Sequence, residues 1–155
     1  IDSMKGLVDI YLADLKYYDD SYAKKYSNCN NYFEVATKAI GKMVEQVGSP
    51  IIHNGLMKRG VIVRVLLLPG LLEDAKKIIK YLYETYHDNI YISIMNQYTI
   101  TKITKYPELN QKVDPKEYDN LIDYTYNLGI RNCFTQEEES QSESFIPKFK
   151  GDTII

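Results

Sequence analysis

The segment VIVRVLLL at positions 61–68 constrains the fold more tightly than any other part of the chain, because seven of its eight residues are aliphatic. Near-continuous aliphatic runs of this length are typical of strands in parallel sheets that helices cover. Pro69 and Gly70 follow at once and predict a turn. The segment therefore predicts a central strand of an α/β domain, with one charged residue, Arg64, inside it.

Three further strands and three helices are predicted around this central strand. The strands cover positions 7–16, 90–95 and 133–136. Apolar residues at spacings of three and four predict amphipathic helices at 33–47, 72–86 and 115–128. The third helix has the clearest start, since Asp114 can cap it and Pro115 suits its first position. Strands that alternate with helices in this order predict parallel βαβ units.

The length and composition of the chain fit one globular body followed by a tail. The chain has 155 residues, of which 45% are hydrophobic, and this is enough to bury a sizeable core. We assign residues 1–136 to the body. Residues 137–155 begin with three glutamates and contain Phe145, Ile146 and Phe149. We therefore expect an acidic C-terminal tail that packs back onto the body.

Charge and cysteine content argue against several classes of protein. The formal net charge is -2, without the basic excess that is typical of nucleic-acid binding. No apolar stretch reaches the roughly 18 residues that a membrane helix needs, and no secretory signal pattern is visible. The two cysteines, Cys29 and Cys133, form no metal-binding motif. We expect no nucleic-acid, membrane or metal ligand, and a reduced, cytoplasmic setting.

Side-chain alternation along the strands brings three charged residues together. Asp14 and Lys16 share one face of the first predicted strand, and Arg64 shares a face with Leu66 on the second. A buried guanidinium without a partner is costly, and Asp14 is the nearest candidate partner. Two interpretations stay open. Asp14 and Arg64 form a structural ion pair between strands, or Asp14, Lys16 and Arg64 line a polar ligand site.

Several segments of the chain, in order, resemble a known family. These are LADLKY, YSNCNNYFEVATKAIGKMVEQVG, RGVIVRVLLLPG, ISIMNQY and FTQEEESQSESFIPKF. They are similar to the activating-enzyme branch of the radical S-adenosylmethionine family, the pyruvate formate-lyase activating enzymes, over roughly residues 6–149. The resemblance implies a TIM-like partial (β/α)6 barrel and an oxidoreductase with a [4Fe-4S] cluster bound through CxxxCxxC. Such enzymes cleave S-adenosylmethionine to a 5′-deoxyadenosyl radical, which abstracts a hydrogen from a glycine of a partner, a glycyl radical enzyme.

The resemblance also implies roles for individual residues. Asp14 and Lys16 match the family's DxK, which contacts S-adenosylmethionine, and Arg64 faces the same barrel lumen. Leu66 and Met95 match residues that flank the adenine. A ribose contact falls near Gln97 or Tyr98, where the better-known members have a histidine and this chain has none. The resemblance assigns no catalytic residue and no metal ligand to this chain.

Two motifs of the family are missing from the chain. Neither CxxxCxxC nor the Gly-Gly-Glu motif that holds the methionine amine is present. We therefore expect the chain to be the C-terminal half of a longer enzyme, inactive alone and with no cofactor bound. The strand at 7–16 would then be an open sheet edge beside an uncovered lumen face, and we expect self-association through that edge or face.

Three alternatives stand beside this interpretation. The first is a doubly wound, receiver-like domain that uses Asp14 at a strand end. The second is a barrel enzyme that forms a Schiff base at Lys16, although the nearby carboxylate would favour the charged ammonium over the nucleophilic amine. The third is a stand-alone α/β binding module, without radical chemistry, whose partner covers the exposed face.

Overall fold

The structure, a computed structural model, describes residues 1–100 and 103–136. The strands are β1 (Ile10–Asp14), β2 (Ile51–His53), β3 (Leu56–Leu66), β4 (Tyr91–Met95) and β5 (Cys133–Phe134). The helices are α1 (Asp20–Ser27), α2 (Tyr32–Val47), α3 (Leu72–Tyr86) and α4 (Pro115–Asn127). The predicted packing of the tail at 137–155 lies outside the described residues.

The sheet is parallel in its main part. Its strand order is β1-β3-β4-β5, and these four strands pair in parallel, while β2 pairs antiparallel with the first residues of β3. In the register, Arg64 lies opposite Asp14 on one side and Ser93 on the other. Helices connect β1 to β3, β3 to β4 and β4 to β5. The predicted α/β class with parallel βαβ units is therefore confirmed.

One face of the sheet forms the main core. Val61, Val63 and Val65 of β3 are fully buried, and they belong to one apolar cluster with buried residues of the flanking strands and of α2, α3 and α4. Burial of a single valine or isoleucine side chain stabilises a fold by about 1.5–3 kcal/mol. The expectation that helices cover the strand at 61–68 is therefore confirmed for this face.

The opposite face of the sheet is open among the described residues. Ile10 and Leu12 on β1 are 40% and 55% exposed, and Phe134 on β5 is 47% exposed. Arg64 lies on this face, away from the helices that cover the other side of the sheet. Its side chain remains 36% exposed, because no described helix covers this side of the sheet.

The predicted helices are present with small shifts at their ends. α4 begins as predicted, since the side chain of Asp114 accepts a hydrogen bond from the Lys116 amide and Pro115 is the first helical residue. α2 ends at Val47 and is followed by Gly48, whose φ of 71° lies in the region that favours glycine.

Two elements lie in segments between the predicted strands and helices. α1 falls within 17–30, where Asp19 caps it by accepting from the Ser21 amide. β2 and the first residues of β3 form a hairpin whose turn is Asn54-Gly55, with φ of 51° and 76°. Asn-Gly is a strong hairpin signal, so this hairpin was within reach of sequence reasoning. β1 is shorter than its predicted span of 7–16.

Within residues 1–100 and 103–136, no helix combines the length and the apolarity that crossing a membrane requires.

Candidate functional site

Asp14, Lys16 and Arg64 come together at the carboxyl end of β1 and β3, on the open face. Arg64 Nε donates to Asp14 Oδ1 at 2.5 Å. Lys16 Nζ lies 3.9 Å from the other oxygen, Oδ2. The carboxylate is thus shared between two cations, and the cluster keeps one net positive charge. The predicted convergence of these three side chains is present in the structure.

The charged cluster is accessible to solvent. The side chains of Asp14, Arg64 and Lys16 are 35%, 36% and 45% exposed. Ion pairs with this exposure contribute about 0–1 kcal/mol to stability. The pair of Asp14 and Arg64 therefore adds little to the stability of the fold. An accessible site with an excess positive charge, in contrast, attracts an anion.

An apolar strip lies beside the charged cluster on the same face. Leu66 is two residues beyond Arg64 and pairs in register with Met95 of β4. Both are partly buried. Ser93, which pairs with Arg64, lies on the same face. Along β3 and β4 the surface of this face therefore changes from charged at Arg64 to apolar at Leu66 and Met95. The structure therefore places Leu66 and Met95, the two residues that the resemblance assigns to the adenine, two register pairs beyond Arg64 and Ser93.

The residues predicted near a ribose follow β4 directly. The hydroxyl of Tyr98 donates to the carbonyl of Leu109 at 2.8 Å, and its ring packs against buried apolar residues. Burial raises the pKa of this hydroxyl. Gln97 is partly exposed beside it. The proton of the Tyr98 hydroxyl is thus used within the protein, and its oxygen remains able to accept a further bond.

A second apolar cluster supports the loops at this end of the sheet. It contains the buried side chains of Tyr17, Ala23, Leu68, Leu71 and Leu109. Tyr32 packs against both apolar clusters, and its hydroxyl accepts from the backbone amide of Lys16 at 2.9 Å. This contact fixes the backbone of Lys16 where the strand ends.

Asp74 holds the residues that follow Lys16. It lies in the first turn of α3 and is only 5% exposed. Its two carboxylate oxygens accept from the amides of Tyr18 and Asp19 at 2.8 and 3.0 Å. Desolvation raises the pKa of Asp74, and the two amide bonds oppose that shift. The sequence analysis did not identify this residue, since its long-range partners have no local signal.

A surface ion pair ties α1 to the connection after β4. Glu108 Oε1 accepts from Lys25 Nζ at 2.6 Å and from the Tyr26 hydroxyl at 2.8 Å. These hydrogen bonds lower the pKa of Glu108 to about 2, and the bond from Lys25 has the largest effect. The Tyr106 hydroxyl also donates to the Lys25 carbonyl. The sequence analysis did not predict this contact, because Glu108 lies 83 positions from Lys25 and 82 positions from Tyr26.

The described residues do not fit an iron–sulfur cluster. They contain no group of three histidine, cysteine, aspartate or glutamate side chains that could hold a metal ion. Cys29 and Cys133 are free, and burial raises the pKa of Cys133 to about 11. A cluster of the CxxxCxxC type needs three thiolates. We derive no chemistry through such a cluster from this chain.

Comparison with known proteins gives one distant relative and no function. No family model matches the chain. No solved structure matches it either. The chain is similar to uncharacterized protein MJ0674 of Methanocaldococcus jannaschii, with 26% identity over 131 residues. The match covers 82% of this chain and 35% of the relative, so the chain spans about a third of that protein's length.

Proposed function

We propose that the open face at the carboxyl end of β1, β3 and β4 binds S-adenosylmethionine. The observation that carries this proposal is the accessible cluster of Asp14, Lys16 and Arg64 beside the apolar strip of Leu66 and Met95. We further propose that the sheet is part of a TIM-like (β/α)6 partial barrel with this face as its lumen. Ligands of parallel α/β folds bind at this end of the strands.

The chemistry of the cluster suits a nucleoside that carries a carboxylate, as S-adenosylmethionine does. Lys16 and Arg64 are positioned to bind the ligand's carboxylate or a ribose hydroxyl, and charge-assisted bonds of this kind contribute about 1.5–3 kcal/mol each. Asp14 orients both cations or accepts from the ribose. Leu66 and Met95 offer an apolar surface to the adenine, and Gln97 and Tyr98 lie in the direction of the ribose.

The activity belongs to a longer polypeptide in this proposal. That enzyme would be an oxidoreductase that resembles the pyruvate formate-lyase activating enzymes, with a glycyl radical enzyme as its protein partner. In such an enzyme a [4Fe-4S] cluster would supply the electron for cleavage of S-adenosylmethionine, and the described residues of this chain would not hold that cluster. The residues described here would bind and orient the nucleoside without cleaving it. The free cysteines are compatible with the cytoplasmic setting that we propose.

Binding can be tested on the 155-residue chain by two-dimensional ¹H–¹⁵N NMR during titration with S-adenosylmethionine. We expect saturable shifts at the amides of residues 14–16, 64–66 and 95, with weak affinity because the chain offers one wall of the site. Arg64→Gln should abolish the saturation. Arg59→Gln is the matched control, since Arg59 lies near the other end of β3 and donates to the Gln46 carbonyl.

Two outcomes separate the parts of the proposal. Shifts that avoid the open face, or that Arg64→Gln leaves unchanged, would refute the binding site. The coding sequence that precedes residue 1 tests the radical chemistry independently. We expect CxxxCxxC there, and a reading frame without it would refute the radical enzyme even if the nucleoside binds.

The sheet architecture also bears on the alternatives. In the described part of the chain, α2, α3 and α4 pack on a single face, whereas doubly wound domains carry helices on both. This disfavours the receiver-like alternative.

The exposed apolar residues Ile10, Leu12 and Phe134 favour a binding module whose partner covers the open face. Recovery of one specific protein partner through this face, without any response to S-adenosylmethionine, would support that second candidate.

A further inference from the structure

A groove lies between α4 and the outer strand β5, on the helix side of the sheet. Cys133 of β5 pairs in register with the buried Ile92 of β4 and packs against the main core. Its side chain therefore points toward the helices and away from the open face that carries the candidate site. We call this feature, which is lined by Ile122 of α4, by Ile130 and by Cys133 among others, the α4–β5 groove.

The size and lining of the α4–β5 groove suit apolar side chains better than a cofactor. Its volume is about 270 Å³, below the range of about 300–1,000 Å³ that is typical of pockets for drug-sized ligands. Ile94 and Ile130 are buried in its lining. The buried Thr125 already donates its hydroxyl to the Leu121 carbonyl at 2.7 Å. The groove therefore suits one or two apolar side chains of a polypeptide.

The chain passes this groove where it leaves the described body. Thr135 lines the groove, and the next residue, Gln136, is held in place by two hydrogen bonds. Its backbone amide donates to the Tyr118 hydroxyl at 2.7 Å, and its side-chain oxygen accepts from the Asn96 amide at 3.2 Å. The segment that follows Gln136 therefore starts from a fixed point beside the groove.

The sequence after Gln136 contains apolar residues within reach of the groove. Phe145 and Ile146 follow the eight polar residues EEESQSES, and Phe149 comes three positions after Ile146. Eight extended residues span up to about 29 Å, whereas the 13 residues of α4 are only about 20 Å long. A segment tethered this closely has a millimolar effective concentration, which favours it over a second copy or a free partner.

Charge at β5 complements the beginning of the tail. Arg131 lines the groove, its guanidinium lies 4.1 Å from the centre of the Tyr126 ring, and it donates to the carbonyls of Tyr126 and Ile130. No carboxylate in the described part of the chain forms a salt bridge with it. The three glutamates at 137–139 follow within the next eight positions, so they can supply the missing negative charge.

Charge on α4 complements the end of the apolar segment. Asp119 and Asp123 are exposed, and each lies three residues before a residue that lines the groove, which places it on the same side of the helix. Lys148 and Lys150 flank Phe149 in the sequence. A segment that binds along α4 can therefore place its lysines near these two carboxylates.

We propose that the tail at 137–155 binds in the α4–β5 groove of its own chain, with Phe145 against Cys133 and with Ile146 and Phe149 along α4. Phe145 is the first aromatic residue after Gln136. The candidate site stays accessible when the tail is bound, because the groove and the site lie on opposite faces of the sheet. The proposal does not depend on nucleoside binding.

Disulfide formation with the native Cys133 tests the position of the tail. In the full chain with Cys29→Ser, a second cysteine is introduced as Ser140→Cys, Phe145→Cys or Ile154→Cys, which lie 7, 12 and 21 positions from Cys133. In an unbound tail the cross-linking rate falls steadily with loop length. We expect Phe145→Cys instead to cross-link at least about fivefold faster than both others, because binding holds it at high effective concentration. A steady fall from 140 to 154 would overturn the proposal.

The reactivity of Cys133 gives a second test that needs no new cysteine. In the Cys29→Ser background, Phe145→Ser/Phe149→Ser should increase the rate at which a thiol reagent modifies Cys133 by at least about tenfold, because the groove is uncovered. Ile154→Ser/Ile155→Ser is the matched control and should leave the rate unchanged. Circular dichroism checks that both variants keep the fold. Equal rates for the two variants would overturn the proposal. Protection that depends on protein concentration and not on the tail would place a second copy in the groove and would overturn it as well.

Discussion

Replacement of Asp74 by asparagine should destabilise the protein although the two side chains have nearly the same shape. Both carboxylate oxygens of Asp74 accept from backbone amides, those of Tyr18 and Asp19. Asparagine has one acceptor oxygen, and its amide group would face the second N–H donor. The variant therefore loses one bond and brings two donors together in a site where Asp74 is only 5% exposed.

The magnitude follows from opposing terms. A lost bond to a charged acceptor costs about 1.5–3 kcal/mol, and an unsatisfied buried donor costs about 1–3 kcal/mol. Removal of the charge offsets part of this loss of stability, since desolvation disfavours the ionised carboxylate and raises the pKa of Asp74. We expect a net loss of about 2 kcal/mol, which corresponds to about 4–8 °C in Tm for a chain of this size.

Urea unfolding followed by circular dichroism measures this difference, with Glu73→Gln as the matched control. Glu73 lies in the same turn, but its side chain is 78% exposed and its salt-bridge partner, Lys76, is three residues away. The reasoning is refuted if Asp74→Asn costs no more than the control, or if the Tyr18 and Asp19 amides retain their hydrogen-exchange protection.

The effect also has a pH dependence with a definite sign. The pKa of Asp74 is raised in the folded protein. The stability that is linked to its protonation is therefore fully present when the pH is below the pKa of Asp74 in the unfolded chain. This stability is lost as the pH rises through the pKa of Asp74 in the folded protein. The stability difference between wild type and Asp74→Asn should therefore be largest in acid and should decrease across that window.

Three further predictions concern the site, the cysteines and the backbone. Arg64→Gln should cost at most about 1 kcal/mol in urea unfolding, because the two side chains of the ion pair are 36% and 35% exposed, and a larger loss would indicate a structural role. With a thiol reagent near neutral pH, Cys29 should react at least about tenfold faster than Cys133, whose pKa of about 11 leaves very little thiolate; similar rates would contradict the burial of Cys133. Gly60→Ala should destabilise by about 1–3 kcal/mol, since φ is 142° and the new Cβ would lie 3.1 Å from the Pro50 Cα. Gly41→Ala, in the interior of α2, meets only the Tyr86 hydroxyl at 3.6 Å and should stabilise by about 0.5–1 kcal/mol; the opposite order of the two variants would contradict the described backbone.

Local pattern was sufficient for the strands and helices of the core. The aliphatic run at 61–68 and the helical spacings identify β3, α2, α3 and α4, because burial on one face imposes a period that the sequence displays. Alternation also placed Asp14, Lys16 and Arg64 on one face, and the register confirms that Asp14 and Arg64 are neighbours.

Contacts between distant segments were beyond the reach of local pattern. The bonds of Asp74 to residues 18 and 19, and of Glu108 to Lys25, join side chains whose neighbours in the sequence give no hint of the partner. The degree to which Arg64 is exposed was also beyond the reach of local pattern. An aliphatic run shows that a strand is central, but it does not show whether helices cover one face or both.

The pairing of β1 with β3 has a consequence for the order of folding. Asp14 and Arg64 are 50 positions apart, whereas β3 and β4 are joined through α3 alone. Closure of the longer loop carries the larger entropic cost and is slower. We expect β3, α3 and β4 to associate early and β1 to dock late. The three charged side chains would then meet only in the last stage of folding, so their mutual contact marks the completed native state.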